Sequence, residues 1–224
     1  MPRLAAAAGC LALVASIAAP GAGAQIIRPP ARPPEPSAWV AFSVGLLQPL
    51  TVDDGSTQST WRFGNSVQYR VALEKPIQNQ SSIGLTATLA RAPLSYEPFA
   101  GGGLPACPGT CDADANITQL FGTFHAGGSA IGLHQVIELS LGATLYSDFR
   151  TRSGDRLPPA SSDADLSLQI GYGFGYTLSP LLQIELVQDL GLGVHQRTGL
   201  SGGSNAVARL YTTRIGLRYG LGQR

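Results

Sequence analysis

Between Asp165 and Leu178 the chain reads DLSLQIGYGFGYTL, an alternation without one break. Leu166, Leu168, Ile170, Tyr172, Phe174, Tyr176 and Leu178 take one parity. Asp165, Ser167, Gln169, Gly171, Gly173, Gly175 and Thr177 take the other. Side chains on a β-strand point to opposite faces with period two, so this segment has one apolar face and one polar or empty face. A soluble barrel turns the apolar face inward, whereas a membrane barrel turns it towards lipid.

The pattern recurs. Trp61, Phe63, Val67, Tyr69, Val71 and Leu73 oppose Arg62, Gly64, Ser66, Gln68, Arg70, Ala72 and Glu74. Ile137, Leu139, Leu141, Ala143 and Leu145 oppose Glu138, Ser140, Gly142, Thr144 and Tyr146. Leu182, Ile184, Leu186, Leu190, Leu192 and Val194 oppose Gln183, Glu185, Val187, Asp189, Gly191 and Gly193. In the last segment Val207, Tyr211, Ile215, Leu217, Tyr219 and Leu221 oppose Thr212, Arg214, Gly216 and Arg218. WVAFSVGLLQ and SIGLTATLAR alternate more weakly, and NITQLFGTFHAG is ambiguous: Leu120 and Phe124 share one face, Phe121 and His125 the other. With the opening segment these make eight.

Three features turn the apolar face outward. The segments run to ten residues or more, against ~5–6 in globular strands and ~9–11 in tilted membrane strands. The opposite face carries charges, Arg62, Arg70, Glu74, Glu138, Glu185, Asp189, Arg214 and Arg218. Connections alternate between long (near 49–60, 93–115, 148–163 and 195–206) and short (near 75–82, 127–134 and 179–181). That order suits external loops and periplasmic turns. The expected fold is therefore all-β, an eight-stranded antiparallel up-and-down transmembrane β-barrel over 39–222. Leu166, Leu168, Ile170, Tyr172, Phe174 and Tyr176 are its lipid-facing residues. An aromatic girdle is expected, with Trp61, Phe63 and Tyr211 towards the external rim and Tyr176 and Tyr219 towards the periplasmic one. Ile170→Arg should impair insertion, and Gly173→Ser should be far milder.

The first residues agree with export. Arg3, an apolar run from Leu4 to Ala19, Pro20 and the small-residue site Ala22-Gly23-Ala24 make a secretory signal peptide over 1–24. The run is shorter than the ~20 residues of a membrane helix. It also continues past Cys10, which argues against a lipoprotein. Residues 25–38, rich in proline, read as a semi-stiff periplasmic arm, a spacer. The formal net charge is +1, which offers nothing to nucleic acid. Cys107 and Cys111 in CPGTC read as a disulfide closing a small loop. Two thiols with no histidine nearby are too few for structural zinc; no metal and no cofactor are expected.

Leader, eight amphipathic strands, alternating loops and a terminal amphipathic strand together resemble the small eight-stranded outer-membrane barrels of the outer-membrane protein A, X and W types, over about 39–221. The resemblance rests on pattern rather than on a motif. It implies a location in the outer membrane of a Gram-negative-type bacterium. The partners it implies are outer-membrane lipid, lipopolysaccharide and, during biogenesis, the outer-membrane insertion machinery. A monomer is expected.

Inside such a barrel, Arg70, Glu138, Glu185, Asp189, Arg214 and Arg218 should form a charge network across the lumen, because buried charges must be paired. That disfavours an open aqueous pore. The interior glycines read as permitting strand curvature in a small barrel. Arg91 and Arg209 are candidate lipopolysaccharide contacts, since guanidinium suits phosphate. Catalysis is not expected. His125 with Ser129, and His195 with Glu185 and Asp189 nearby, establish no nucleophile and base within reach. The expected role is structural or one of cell-surface interaction. Alternatives are a narrow passage or binding site for small hydrophobic molecules, a lipid-modifying outer-membrane enzyme related in chemistry to lipid A deacylases, and a soluble secreted lipid-binding barrel.

Overall fold

The computed structural model describes residues 36–78, 80–99, 104–128, 131–159, 163–196 and 205–222. The signal peptide and nearly all of the proline-rich arm lie outside the described residues. Ten strands follow one another: β1 (Ala38–Leu47), β2 (Leu50–Asp54), β3 (Ser59–Phe63), β4 (Ser66–Gln78), β5 (Ser81–Pro98), β6 (Cys111–Gly127), β7 (Gly132–Thr151), β8 (Asp163–Ser179), β9 (Leu182–Gln196) and β10 (Asn205–Leu221).

They make eight staves, because β1 and β2 continue each other and so do β3 and β4. Each stave pairs antiparallel with the next along the chain. β1 also pairs with β10, Ala38 opposite Leu221, which closes the ring. Along β1, β4 and the inner parts of β5 to β10 every backbone ladder thus finds a neighbour, as a sheet in hydrocarbon requires; β2, beyond them, is paired on one side only, with β3.

The alternation decides which way each stave faces. Along β8 the apolar residues Leu166 to Tyr176 are 40–65% exposed, whereas Asp165, Ser167 and Gln169 are at most 6% exposed. The apolar face looks out. β6 resolves the same way: Leu120 and Phe124 are exposed, and Phe121 and His125 are buried. Around the ring, Phe42, Val71, Leu85, Leu139, Leu190 and Leu217 continue the outer band. A contiguous apolar surface of this extent is a lipid-facing surface, for water would leave it an aggregation site. Ile170 lies midway along the exposed run. Ile170→Arg should therefore cost ~2–4 kcal/mol of insertion free energy. The check is the fraction of chain that runs as a compact, unboiled band after refolding into vesicles.

Beyond the band the pattern slips. Residues 59, 61 and 63 face inward on β3, and 66, 68 and 70 face inward on β4. One extra residue at Gly64-Asn65 inverts the parity between them, the action of a β-bulge. Trp61 and Phe63 therefore point into the barrel, 0% and 2% exposed, and are not part of an external girdle. Arg62, expected inside, is exposed and pairs with Glu97. A second slip at Gln48-Pro49 turns Leu50, Val52 and Asp54 inward. A third, near Asp148 at φ 53°, turns Phe149 inward. The segment 49–60, expected as a loop, holds β2 and the start of β3.

The three slips build an apolar plug at the end carrying the long connections. Trp61, Phe63, Tyr96, Ile117, Tyr146 and Phe149 are its largest members, with Leu47, Leu50, Val52, Leu94 and Leu210 around them. Cys107, disulfide-bonded to Cys111, closes it from above. The interior glycines have a reason other than curvature alone. A Cβ on Gly171 would meet Asp189 Oδ1 at 2.6 Å, and one on Gly175 would meet His134 Nε2 at 2.3 Å. On Gly173 it would lie 2.0 Å from the Leu186 carbonyl oxygen. The expectation that Gly173→Ser is mild is therefore overturned by the close approach of β8 and β9.

Candidate functional site

Below the plug the lumen is filled by charge. Arg70 donates from Nη2 to Glu138 Oε2 at 2.5 Å, and Arg214 donates from Nη2 to the same oxygen at 2.7 Å. Arg214 Nε also reaches Asp189 Oδ2 at 2.7 Å, with Arg70 Nη1 3.7 Å from that oxygen. Two guanidinium groups and two carboxylates thus form one knot, contributed by β4, β7, β9 and β10. Each side chain is at most 6% exposed.

The other named charges stand closer to the end where Ala38 pairs with Leu221. Arg218 donates to Glu74 Oε2 at 2.7 Å, to Ser82 Oγ at 2.7 Å and to Gln183 Oε1 at 3.1 Å. Its guanidinium also lies 4.2 Å over the Trp39 ring, a stacked contact that favours arginine. Glu185 Oε1 sits 3.0 Å from His125 Nε2. The six predicted charges therefore fall into three groups. Glu74 and His125 complete those groups.

Between the knot and the plug runs a neutral ladder. Gln68 donates to Thr88 and to Gln119 Oε1, Thr88 also donates to Gln119, and Gln119 donates to Thr144, which accepts from Ser167 as well. At its top stands a histidine. His195 Nδ1 is 2.7 Å from Asp165 Oδ1, and its Nε2 is 3.2 Å from Asp54 Oδ1 and 4.0 Å from Asp163 Oδ2. Glu185 and Asp189, expected near His195 on its own strand, instead serve His125 and Arg214. The true partners come from β2 and β8.

The rings of Trp61 and Tyr146 cover the imidazole at centroid distances of 5.5 and 6.0 Å. Both ring nitrogens are thus engaged by carboxylates, Nδ1 by Asp165 and Nε2 by Asp54. Burial works against the Asp54 carboxylate; the bonds from His195, Thr57 and Ser56 hold it well below the usual range.

Among the described residues, two groups have metal-ligating atoms close together, Asp54 with Asp163 and His195, and His125 with Glu138 and Glu185. Alternation alone could not find the first. Asp54 belongs to a slipped strand, and it reaches His195 across 141 positions of chain.

The outer rim is a mosaic of exposed ion pairs. Arg91 donates to Asp148 Oδ2 at 2.8 Å and to Asn116, Arg150 donates to Asp148 at 2.6 Å, and Arg152 lies 3.2 Å from Asp112. Arg209 is exposed on β10. A cavity of about 250 Å³ opens between Arg62, Pro93, Ser95, Asp112, Asp114 and Arg152.

Neither a protein-family model nor a curated protein matches the chain. Solved structures do. Neisserial surface protein A is similar at 10% identity and TM-score 0.55, over 83% of this chain and 97% of that one. Weaker likenesses include Ail, the attachment invasion locus protein of Yersinia pestis (15% identity, TM-score 0.43, 82% of this chain and 98% of that one). Another is the outer membrane protein OprG of Pseudomonas aeruginosa (10% identity, TM-score 0.48, 84% and 97%). A closed ring of eight staves with an apolar outer band, and the first of these likenesses, lead to one statement: the chain has the fold of the small eight-stranded outer-membrane β-barrels.

Proposed function

We propose that this protein is an integral outer-membrane barrel with a structural or cell-surface interaction role, and that its lumen carries no open column of water. The observation behind this reading is the burial of Arg70, Glu138, Asp189 and Arg214, each at least nine-tenths hidden although ionic. A water-filled channel would wet such groups. Here they neutralise one another instead, and an aromatic plug lies above them. In planar lipid bilayers the purified protein should give no steady ion-conducting steps. Long-lived openings in a chain whose folding is verified by gel mobility would overturn the reading.

The same interior disfavours passage of small hydrophobic molecules, because a charged knot spans their route. The outward apolar band disfavours a soluble lipid carrier. A lipid-modifying enzyme needs a reachable nucleophile on a histidine. Among the described residues, His125 and His195 are buried and both bond to carboxylates; His134 is half-buried and has the Thr177 hydroxyl 3.4 Å away, but that hydroxyl is itself fully buried. Contact with the cell's surroundings falls to the rim. There Arg209 is the better candidate for a lipopolysaccharide phosphate, since Arg91 is already engaged by Asp148.

A further inference from the structure

We propose that His195, Asp54 and Asp163 form a binding site for one divalent zinc-type cation at the outer end of the lumen, with Asp165 as the residue that positions the imidazole. The site is independent of whether the barrel is a surface-interaction protein.

The geometry fits such an ion. Zinc bonds nitrogen and carboxylate oxygen at ~2.0–2.2 Å, which places tetrahedral ligand atoms about 3.3 Å apart. His195 Nε2 is 3.2 Å from Asp54 Oδ1 and 4.0 Å from Asp163 Oδ2, and all three ligand atoms lie within 4.8 Å of one another. The ion takes the place of the proton between Nε2 and Asp54, which is released to solvent on binding; one imidazole and two carboxylates then leave a fourth position open, the donor set of a borderline cation rather than of calcium or magnesium. The ring is also held as a ligating ring is held. Its other nitrogen, Nδ1, is bonded by the Asp165 carboxylate, which orients Nε2 towards the two remaining carboxylates.

Charge and hydrogen bonding point the same way. Three carboxylates meet a single imidazole here, and no arginine or lysine is paired with any of them among the described residues. Asp54 and Asp165 are almost wholly buried, so their charge cannot be left to solvent. Next to them, the buried Tyr146 hydroxyl has the Asp165 carboxylate beside it, although Tyr146 Oη and Asp165 Oδ2 make no hydrogen bond of normal geometry. Only Asp163, with 29% of its side chain exposed, gives access from outside. The second histidine cluster differs. Its Glu138 already accepts from Arg70 and Arg214, whose positive charge repels a cation.

The test is calorimetric titration of Zn²⁺ into the full-length protein, purified in detergent in metal-free buffer, with folding of every variant verified by gel mobility. The expected result is one Zn²⁺ per wild-type chain. Asp163→Asn, at the accessible ligand, should weaken binding at least tenfold. Asp165→Asn should weaken it by ~10–100-fold through the orientation of the ring. His125→Asn should leave it unchanged. Absence of binding to the wild-type chain would overturn the proposal. So would binding that Asp163→Asn leaves intact, or binding that His125→Asn removes.

Discussion

Glu138→Ala should destabilise the barrel by about 3–5 kcal/mol, the range found when one partner of a buried ion pair is removed. Arg70 and Arg214 both donate to Glu138 Oε2, at 2.5 and 2.7 Å. Without that oxygen, two buried guanidinium groups share Asp189 alone. One cation is then left with no carboxylate bonded to it in a space closed to water. Glu138→Gln keeps an acceptor oxygen and should lose less, because only the charge disappears and not the whole bond. The measurement is urea-induced unfolding in detergent micelles, with the two variants beside the wild type. An unchanged midpoint for Glu138→Ala would mean that water reaches the knot, and the closed-lumen reading would fall with it.

Gly173→Ser should prevent stable folding, at a cost above ~3 kcal/mol, beyond ordinary overpacking. Its Cβ would lie 2.0 Å from the Leu186 carbonyl oxygen and 2.7 Å from the Val187 Cα. Both are main-chain atoms of β9, so no rotamer change gives relief; the strands themselves would have to part. Gly171→Ser is the useful contrast. Its first obstacle is Asp189 Oδ1, the end of a side chain, at 2.6 Å. It should fold, with a loosened Asp189–Arg214 bond. The fraction of compact band on an unboiled gel separates the two. If Gly173→Ser folded as fully as Gly171→Ser, the two staves would stand further apart than the structure has them.

The membrane-spanning part of the fold was legible because period two is a local property. Each residue from Asp165 to Leu178 could be assigned a face from its neighbours alone, and the exposures agree with the alternation at every step. The parts that alternation misplaced lie beyond a slip. Trp61 and Phe63 share the parity of Val67 and Tyr69, yet face the other way, since Gly64-Asn65 adds one residue between them. Glycine next to asparagine is a bulge signal, and it was the one local hint of the plug. The lumen was half legible. Alternation placed Arg70, Glu138, Asp189 and Arg214 inside, and the need to pair buried charge joined them. It could not say which carboxylate each histidine would meet, because that depends on how far the staves are sheared past one another. His195 is close to Asp189 in the chain but bonds to Asp165, 30 positions away, and to Asp54, 141 away.

The origin of the positive charge in the lumen bears on how the barrel is completed. Arg214 and Arg218 both come from β10, the final stave, whereas the carboxylates they neutralise, Glu138, Asp189 and Glu74, come from β7, β9 and β4. Until β10 docks, Arg70 faces those three acids alone. Once β10 has zipped against β1, three arginines face three acids. Sealing the seam thus neutralises these three acids in the same step that joins β10 to β1. An unfinished cylinder carries a negative interior that hydrocarbon surroundings cannot offset, so partial assemblies are penalised twice and the finished ring is set apart from every shorter one.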